Sequence, residues 1–162
     1  AYDIPVLSLT NVKGYAADVR SEKSIAKAVA KLTYAFANAN VPKVNVITGE
    51  AYGSAYVTMN SKALGADVTY AWPDASIGMM DANEAAKIMY ADDIAKSADV
   101  QSVISEKAAE YAALQSGVES AAARGYVDTI INPEDTRKYV AAAFEMLYTK
   151  REDRPDKKHG TV

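Results

Sequence analysis

Short apolar runs of strand length alternate along this chain with stretches of helical periodicity. That alternation limits the possible folds more than any other feature of the sequence. Val6-Leu-Ser-Leu-Thr10 and Val44-Asn-Val-Ile-Thr48 read as buried strands. Asp67-Val-Thr-Tyr-Ala-Trp72 is a third, Ala75-Ser-Ile-Gly-Met79 a short fourth and Tyr126-Val-Asp-Thr-Ile-Ile131 a fifth. Between the first two, Ile25, Val29, Leu32 and Phe36 recur at helical spacing over residues 24–39, which predicts a helix with one buried face. Pro42 forbids its continuation. Further helices are expected over 57–64, closed by Gly65, over 100–114, stopped by Gly117, and over 120–124, closed by Gly125. Asp81-Ala-Asn-Glu84 has the form of a capping box opening a helix that carries Ala85, Ile88, Met89 and Ile94. Asn132-Pro-Glu-Asp135 starts the last helix, with Val140, Phe144 and Leu147 as its buried stripe. Strands alternating with helices imply an α/β layered domain. No repeat or linker divides the chain, so one domain is expected over 1–150, followed by a charged tail over 151–162. The first residue is Ala, and the chain enters a core strand almost at once, as an excised or truncated piece would.

Composition removes several function classes. A formal net charge of −3 and a pI near 5.2 give no reason to expect nucleic-acid binding. Zero cysteines exclude disulfides, thiolate nucleophiles and cysteine-ligated zinc, and fit a reducing compartment. No apolar run reaches membrane-spanning length and no signal-peptide pattern opens the chain, so a cytoplasmic location without membrane insertion is expected. The single histidine, His159, lies in the charged tail and reads as a solvated side chain. Chemistry here is therefore expected to rest on backbone donors, carboxylates or a supplied cofactor, with no metal.

Residues 51–59, Ala-Tyr-Gly-Ser-Ala-Tyr-Val-Thr-Met, directly follow the second strand. A strand running through a glycine-bearing turn into a helix converges unpaired N–H groups on one point, which suits an anion or a developing oxyanion. A phosphate loop is excluded, because Gly49 and Gly53 are wrongly spaced and no Lys-Ser or Lys-Thr follows. A serine nucleophile at Ser54 lacks the Gly-x-Ser-x-Gly pattern and has only His159 for a base. An oxyanion hole and an ordinary helix start both remain open on the residues alone.

Several stretches resemble the C-terminal half of the carboxyltransferase subunit of biotin-dependent acyl-CoA carboxylases and decarboxylases. They are Lys31-Leu-Thr-Tyr-Ala-Phe-Ala37, Val41-Pro-Lys-Val44, Ala51-Tyr-Gly53, Met59-Asn-Ser-Lys62, Gly65-Ala-Asp-Val-Thr-Tyr-Ala-Trp-Pro73, Ala123-Arg-Gly-Tyr-Val-Asp128 and Thr149-Lys-Arg-Glu-Asp-Arg-Pro155, with Lys157-Lys-His-Gly160 near the family's usual end. The branch it most resembles is the methylmalonyl-CoA decarboxylase alpha subunit, alongside the propionyl-CoA carboxylase beta subunit. The resemblance implies a crotonase-type fold of stacked ββα units. It also implies the carboxybiotin-side half of an active site that an N-terminal carboxyltransferase half completes, so the chain alone would be inactive. The implied partners are that half, a biotin carboxyl carrier protein bearing the cofactor, and an acyl-CoA, within a homo- or hetero-oligomer; in the decarboxylase branch the complex sits at a membrane periphery. Carried over by position, Ser54 and Ala55 supply the backbone N–H donors of the oxyanion hole. Gly53, Tyr56 and Val57 lie in the same motif, with Val57 at a position that tunes acyl-group choice, and Gly14 and Tyr15 match a Gly-Phe active-site loop.

Departures cluster in the motifs that carry chemistry. Ser54 stands where the family has a second glycine, Gly49-Glu50 replaces Arg-Lys, and Lys13 replaces a loop proline. Met80-Asp-Ala-Asn-Glu-Ala85 replaces Met-Gly-x-x-Gly-Ala, so Asp81 and Glu84 are expected to occupy helix-start amides that glycines would leave open. The alternative function is a weakened carboxyltransferase-like domain retained for complex assembly.

Overall fold

The computed structural model describes residues 2–97 and 99–155; His159 and the end of the tail lie outside them. Five parallel strands carry the fold: β1 (Val6–Val12), β2 (Lys43–Tyr52), β3 (Val68–Ala71), β4 (Ser76–Gly78) and β5 (Thr129–Ile130). The helices are α1 (Val19–Glu22), α2 (Ile25–Asn38), α3 (Gly53–Thr58), α4 (Ala82–Met89), α5 (Ala91–Lys96), α6 (Val100–Tyr111), α7 (Val118–Ala123) and α8 (Thr136–Met146). Strand order is β1-β2-β3-β5, with β4 paired to β2.

β2 is the organising element. Its first half pairs with β3, matching Val44 to Val68 and Ile47 to Ala71, while its last three residues pair with β4, matching Glu50 to Ser76 and Tyr52 to Gly78. One long strand thus serves two partners in turn, and the second brings β4 alongside the start of α3. Both faces of β2 are covered over its first five residues, where Val44, Val46 and Ile47 are buried together with the polar Lys43 and Asn45. On one face Val44, Val46, Val68 and Tyr70 pack with Ile131 and Ala143, and Val140, Phe144 and Leu147 of and after α8 close over them as the periodicity predicts. A second cluster joins Ile47, Ala51, Ala71 and Ile77 to Tyr56, Val118, Ala121 and Val127. It ties α3 and α7 to the strands and underlies the site.

Some expectations change. The second strand runs on through Gly49 to Tyr52, and the helix begins at Gly53 rather than at residue 57. That helix stops at Thr58; a 3-10 turn over Lys62–Leu64 follows, and Gly65 caps it with a bond to Lys62 O. The last strand shrinks to Thr129–Ile130. No residue of α2 is buried: Ile25, Val29 and Phe36 are half-buried and Leu32 is exposed. Ile88 and Met89 are 67% and 58% exposed, because α4 buries only Ala85 and Ala86. Leu114, in a π-helical turn after α6, is also exposed. Helical spacing identifies which residues share a face, but not whether this chain supplies anything to cover it.

Several recurring motifs meet as fold-holding contacts. Asp128 accepts from Thr69 N at 2.8 Å and pairs with Lys62 Nζ, fastening β3 to the segment before β5. Asp67 accepts from Lys43 N at 2.8 Å and pairs with Lys150 at 2.8 Å. Arg154 donates to Ala37 O, and Asn40 Nδ2 donates to Glu152 O at 3.3 Å, so residues 150–154 lie against the end of α2. Among the described residues, no helix is long and apolar enough to cross a membrane.

Candidate functional site

The site is built where β2 ends. Tyr52 is the last extended residue (φ −116°, ψ 138°), and Gly53 turns the chain at φ +60° into α3. That left-handed conformation is open to glycine at little cost and to other residues at about 1–2 kcal/mol. A Cβ on Gly53 would also lie 2.9 Å from Met79 O, so the absent side chain lets the end of β4 close on the turn. Ser54 and Ala55 follow within the first turn of α3, and among the described residues no side-chain cap is made to this helix start.

The loop after β1 is fixed to this helix from the other side. Tyr15 Oη donates to Ser54 O at 3.2 Å and lies 3.1 Å from Thr58 Oγ1, which donates to Ala55 O at 3.0 Å. Asn11 Oδ1 accepts from Glu50 N at 3.0 Å, and Lys13 pairs with Glu50 at 3.1 Å. Gly49 fits because a Cβ there would fall 2.8 Å from Asn11 Oδ1. The Gly49-Glu50 pair is thus matched to Asn11 and Lys13. Beneath α3 lies a polar layer: Thr10 Oγ1 donates to Asn45 Oδ1 at 2.7 Å, and Asn60 Nδ2 donates to Val44 O at 3.3 Å.

A pocket of about 380 Å³ opens beside the helix start. Gly53, Ser54, Tyr56 and Val57 form one wall, Ile77, Gly78 and Met79 a second, and Ala121, Arg124 and Tyr126 a third. Four of the seven residues expected from the sequence therefore line one cavity. Ala55 belongs to the same helix turn but is buried in the core, and Gly14 and Tyr15 sit on the loop that braces α3, outside the pocket lining.

The pocket lining carries one positive charge and no carboxylate. Arg124 is its one charged lining residue, and its Nε and Nη2 are directed at Ser120 O, Gln115 O and Ser120 Oγ, at 3.1, 2.7 and 2.6 Å. Tyr56 is 7% exposed, and its Oη is buried with no hydrogen-bond partner among the described residues. Such an orphan costs about 1–3 kcal/mol unless something satisfies it. Burial, reinforced by Tyr126, pushes its pKa up, which keeps the phenol protonated and able to donate.

The whole chain, residues 1–162, matches the family described as the carboxyl transferase domain. It belongs to that family.

Among its relatives, the propionyl-CoA carboxylase beta chain of Saccharopolyspora erythraea is 46% identical, over 100% of this chain and 31% of its own length. The methylmalonyl-CoA decarboxylase subunit alpha of Propionigenium modestum is 42% identical, over 100% of this chain and 32% of its own. A biotin-dependent acetyl-/propionyl-coenzyme A carboxylase beta5 subunit of Mycobacterium tuberculosis is 39% identical, over 99% and 30%. Among solved structures, transcarboxylase 12S superposes with a TM-score of 0.92 at 42% identity, covering 98% of this chain and 31% of that one. The domain therefore has the crotonase-type fold of carboxyltransferases, and it spans about a third of the length of these relatives. Identity is somewhat higher to this carboxylase beta chain than to this decarboxylase alpha subunit.

Two features of this carboxyl transferase domain were not legible as site features. Ile77, Gly78 and Met79 carry only a strand signal, and their approach to Gly53 follows from the change of partner along β2. Ala121, Arg124 and Tyr126 fell in a short helix and the motif after it, with no signal that α7 would form a pocket wall. The capping box is also only half formed. Asp81 Oδ1 accepts from Asn83 N at 2.9 Å, but Glu84 pairs with Lys87 at 2.7 Å instead of reaching back. An i,i+3 lysine on the same face competes for that carboxylate.

Proposed function

We propose that this domain forms the carboxybiotin-side half of a biotin-dependent acyl-CoA carboxyltransferase or decarboxylase, completed by an N-terminal half. The observation that carries the reading is the Gly53 turn, which presents the uncapped Ser54 and Ala55 amides at the start of α3 beside the pocket. Backbone N–H groups held by a strand-to-helix turn stabilise negative charge developing on an oxygen, and they need no reorganisation to do so. Ser54 keeps both its N–H and this geometry, because the left-handed residue is Gly53 and not the substituted position.

Biotin, delivered on a carrier protein, would supply a carboxyl group attached to an uncharged ring system. The pocket suits such a group: its walls are mostly apolar, and Arg124 supplies one positive charge toward a carboxyl group. In this role Ser54 and Ala55 hold the charge-bearing oxygen, Gly53 shapes the turn and Val57 forms the wall facing the acyl group. Tyr15 braces the helix that presents the amides, with Gly14 in the same loop. Acyl-CoA binding would fall mainly to the partner half, so the isolated domain would be inactive.

The test is reconstitution with an N-terminal carboxyltransferase half, followed by conversion of methylmalonyl-CoA to propionyl-CoA with free biotin as the acceptor of the carboxyl group. Biotin-dependent turnover by the mixture, and none by either part, is the expected result. A second reading, a domain retained for assembly, is favoured by Asp81, whose carboxylate occupies an amide at the start of α4. A stable complex without turnover would establish that second reading. The membrane-peripheral location of the decarboxylase branch is tested by co-purification with a membrane subunit.

A further inference from the structure

We infer that Arg124 anchors the carboxylate being transferred, through its Nη1, at the wall that α7 gives to the pocket. This rests on the function proposed above and assigns a specific side-chain contact within it. Arg124 directly follows α7, is exposed, and lines the cavity together with Ala121 and Tyr126, so a ligand there can reach it. Its guanidinium is fixed along one edge only. Nε donates to Ser120 O at 3.1 Å, and Nη2 donates to Gln115 O at 2.7 Å and to Ser120 Oγ at 2.6 Å. Those bonds use the Nε proton and both Nη2 protons, whereas Nη1 donates to no atom among the described residues. A purely structural arginine would need only the engaged edge, which already ties α7 to the turn after α6.

The charge is as open as the donor. All three acceptors are neutral, and Arg124 forms no ion pair among the described residues. The guanidinium therefore keeps its full positive charge beside walls that are mostly apolar, where a charge-assisted hydrogen bond gains over one in open water. Its three bonds have already removed rotamer freedom from the side chain, so binding an anion costs little further entropy. One cation compensates one negative charge, which fits a carboxylate. Two molecules of this reaction class bring such a group, carboxybiotin and methylmalonyl-CoA, and both present the same chemistry to Nη1.

Arg124→Met removes the charge from an exposed position and keeps an apolar stem, while Arg124→Lys keeps the charge without the fork. In the native protein, with the chains it assembles with, binding of methylmalonyl-CoA and of propionyl-CoA is measured by calorimetry, beside thermal unfolding without ligand. These two esters differ by one carboxylate and share the CoA phosphates. A second arm measures KM for the carboxylated biotin carrier protein in the carboxylation of propionyl-CoA. Where the anchored group is that of the acyl-CoA, Arg124→Met should lose about 10-fold in methylmalonyl-CoA affinity and less than about 2-fold for propionyl-CoA. Where it is that of carboxybiotin, KM for the carrier should rise about 10-fold instead. Arg124→Lys should recover part of either loss. No change in both arms overturns the proposal, and a lower Tm alone then assigns Arg124 to structure. Equal losses for the two esters also overturn it and move the contact to the shared CoA phosphates. Failure of the functional reading has a different signature: wild type itself shows no biotin-dependent turnover, while the comparison of the two esters still decides on Arg124.

Discussion

Replacing Gly53 by alanine tests the turn on which the site depends, and its cost can be worked from the structure. Three contributions apply. Holding a Cβ-bearing residue at φ +60° costs about 1–2 kcal/mol. The new Cβ falls 2.9 Å from Met79 O, a backbone atom that cannot rotate away, and relieving such overlap costs about 1–3 kcal/mol. Alanine also restricts the unfolded chain, which returns about 0.4–1 kcal/mol. The net loss is about 3 kcal/mol, or about 6–12 °C in Tm for a domain of this size. Gly125→Ala is the internal control: its φ is +81° but nothing lies within 4 Å of the added Cβ, so only the conformational cost applies and the net is about 1 kcal/mol or less. The gap of about 2 kcal/mol isolates the closure of β4 on α3. Because Met79 also lines the pocket, Gly53→Ala should lower biotin-dependent turnover in the assembled protein. Urea unfolding of the two variants with matched m-values is the assay. If Gly53→Ala costs no more than Gly125→Ala, the Met79 contact does not constrain the turn, and the argument that glycine is required there for packing fails.

Other perturbations have equally definite signs. Asp81→Ala removes the one side-chain cap of α4 and should cost about 0.5–2 kcal/mol in denaturant unfolding; Glu84→Ala should cost less than about 0.5 kcal/mol, since that carboxylate pairs only with exposed Lys87. Tyr15→Phe removes the phenol that holds the loop to Ser54 O and should lower stability by about 1 kcal/mol or less, with a larger relative fall in turnover if the brace positions α3. Lys43 gives a pH signature. Its side chain is fully buried, with Nζ donating to Phe36 O at 2.8 Å, and burial first, then Lys150 and Arg154, lowers its pKa below 10.5 against the opposing pull of Asp67 and Glu152. The unfolded chain binds that proton more tightly, so Lys43 burdens folding below its folded pKa, and the burden lifts as pH rises from that value to 10.5. The stability of wild type relative to Lys43→Met should therefore rise across that window. A flat difference between the two melting profiles would show that the ammonium is not desolvated.

What the sequence made legible follows from how local each determinant is. The short runs rich in β-branched residues specify β1, β2 and β3 because strand propensity is local, but not which face is covered: Leu7 and Leu9 of β1 are exposed while Ser8 and Thr10 are buried. The geometry of the Ala51–Met59 stretch is legible for a similar reason, since turn, helix start and amides lie within a few residues. The depth of the pocket was not, because its other walls come from β4 and α7, brought in by the change of partner along β2. The departures show the same division. Gly49-Glu50 looks like lost positive charge when read along the chain, yet Gly49 accommodates Asn11 while Glu50 binds Asn11 and Lys13 from the strand alongside. Ser54 looks like an obstruction, yet the residue that needs the left-handed conformation is Gly53, which is retained. Most of these departures therefore leave the geometry of the amides intact. Asp81 is the exception, because its carboxylate occupies Asn83 N directly. A change that has been compensated across strands leaves the chemistry open to proceed, whereas one that fills a donor removes that donor from a ligand. By that measure the α3 end is the candidate for chemistry, while at the α4 end the Asp81 carboxylate already takes the Asn83 amide.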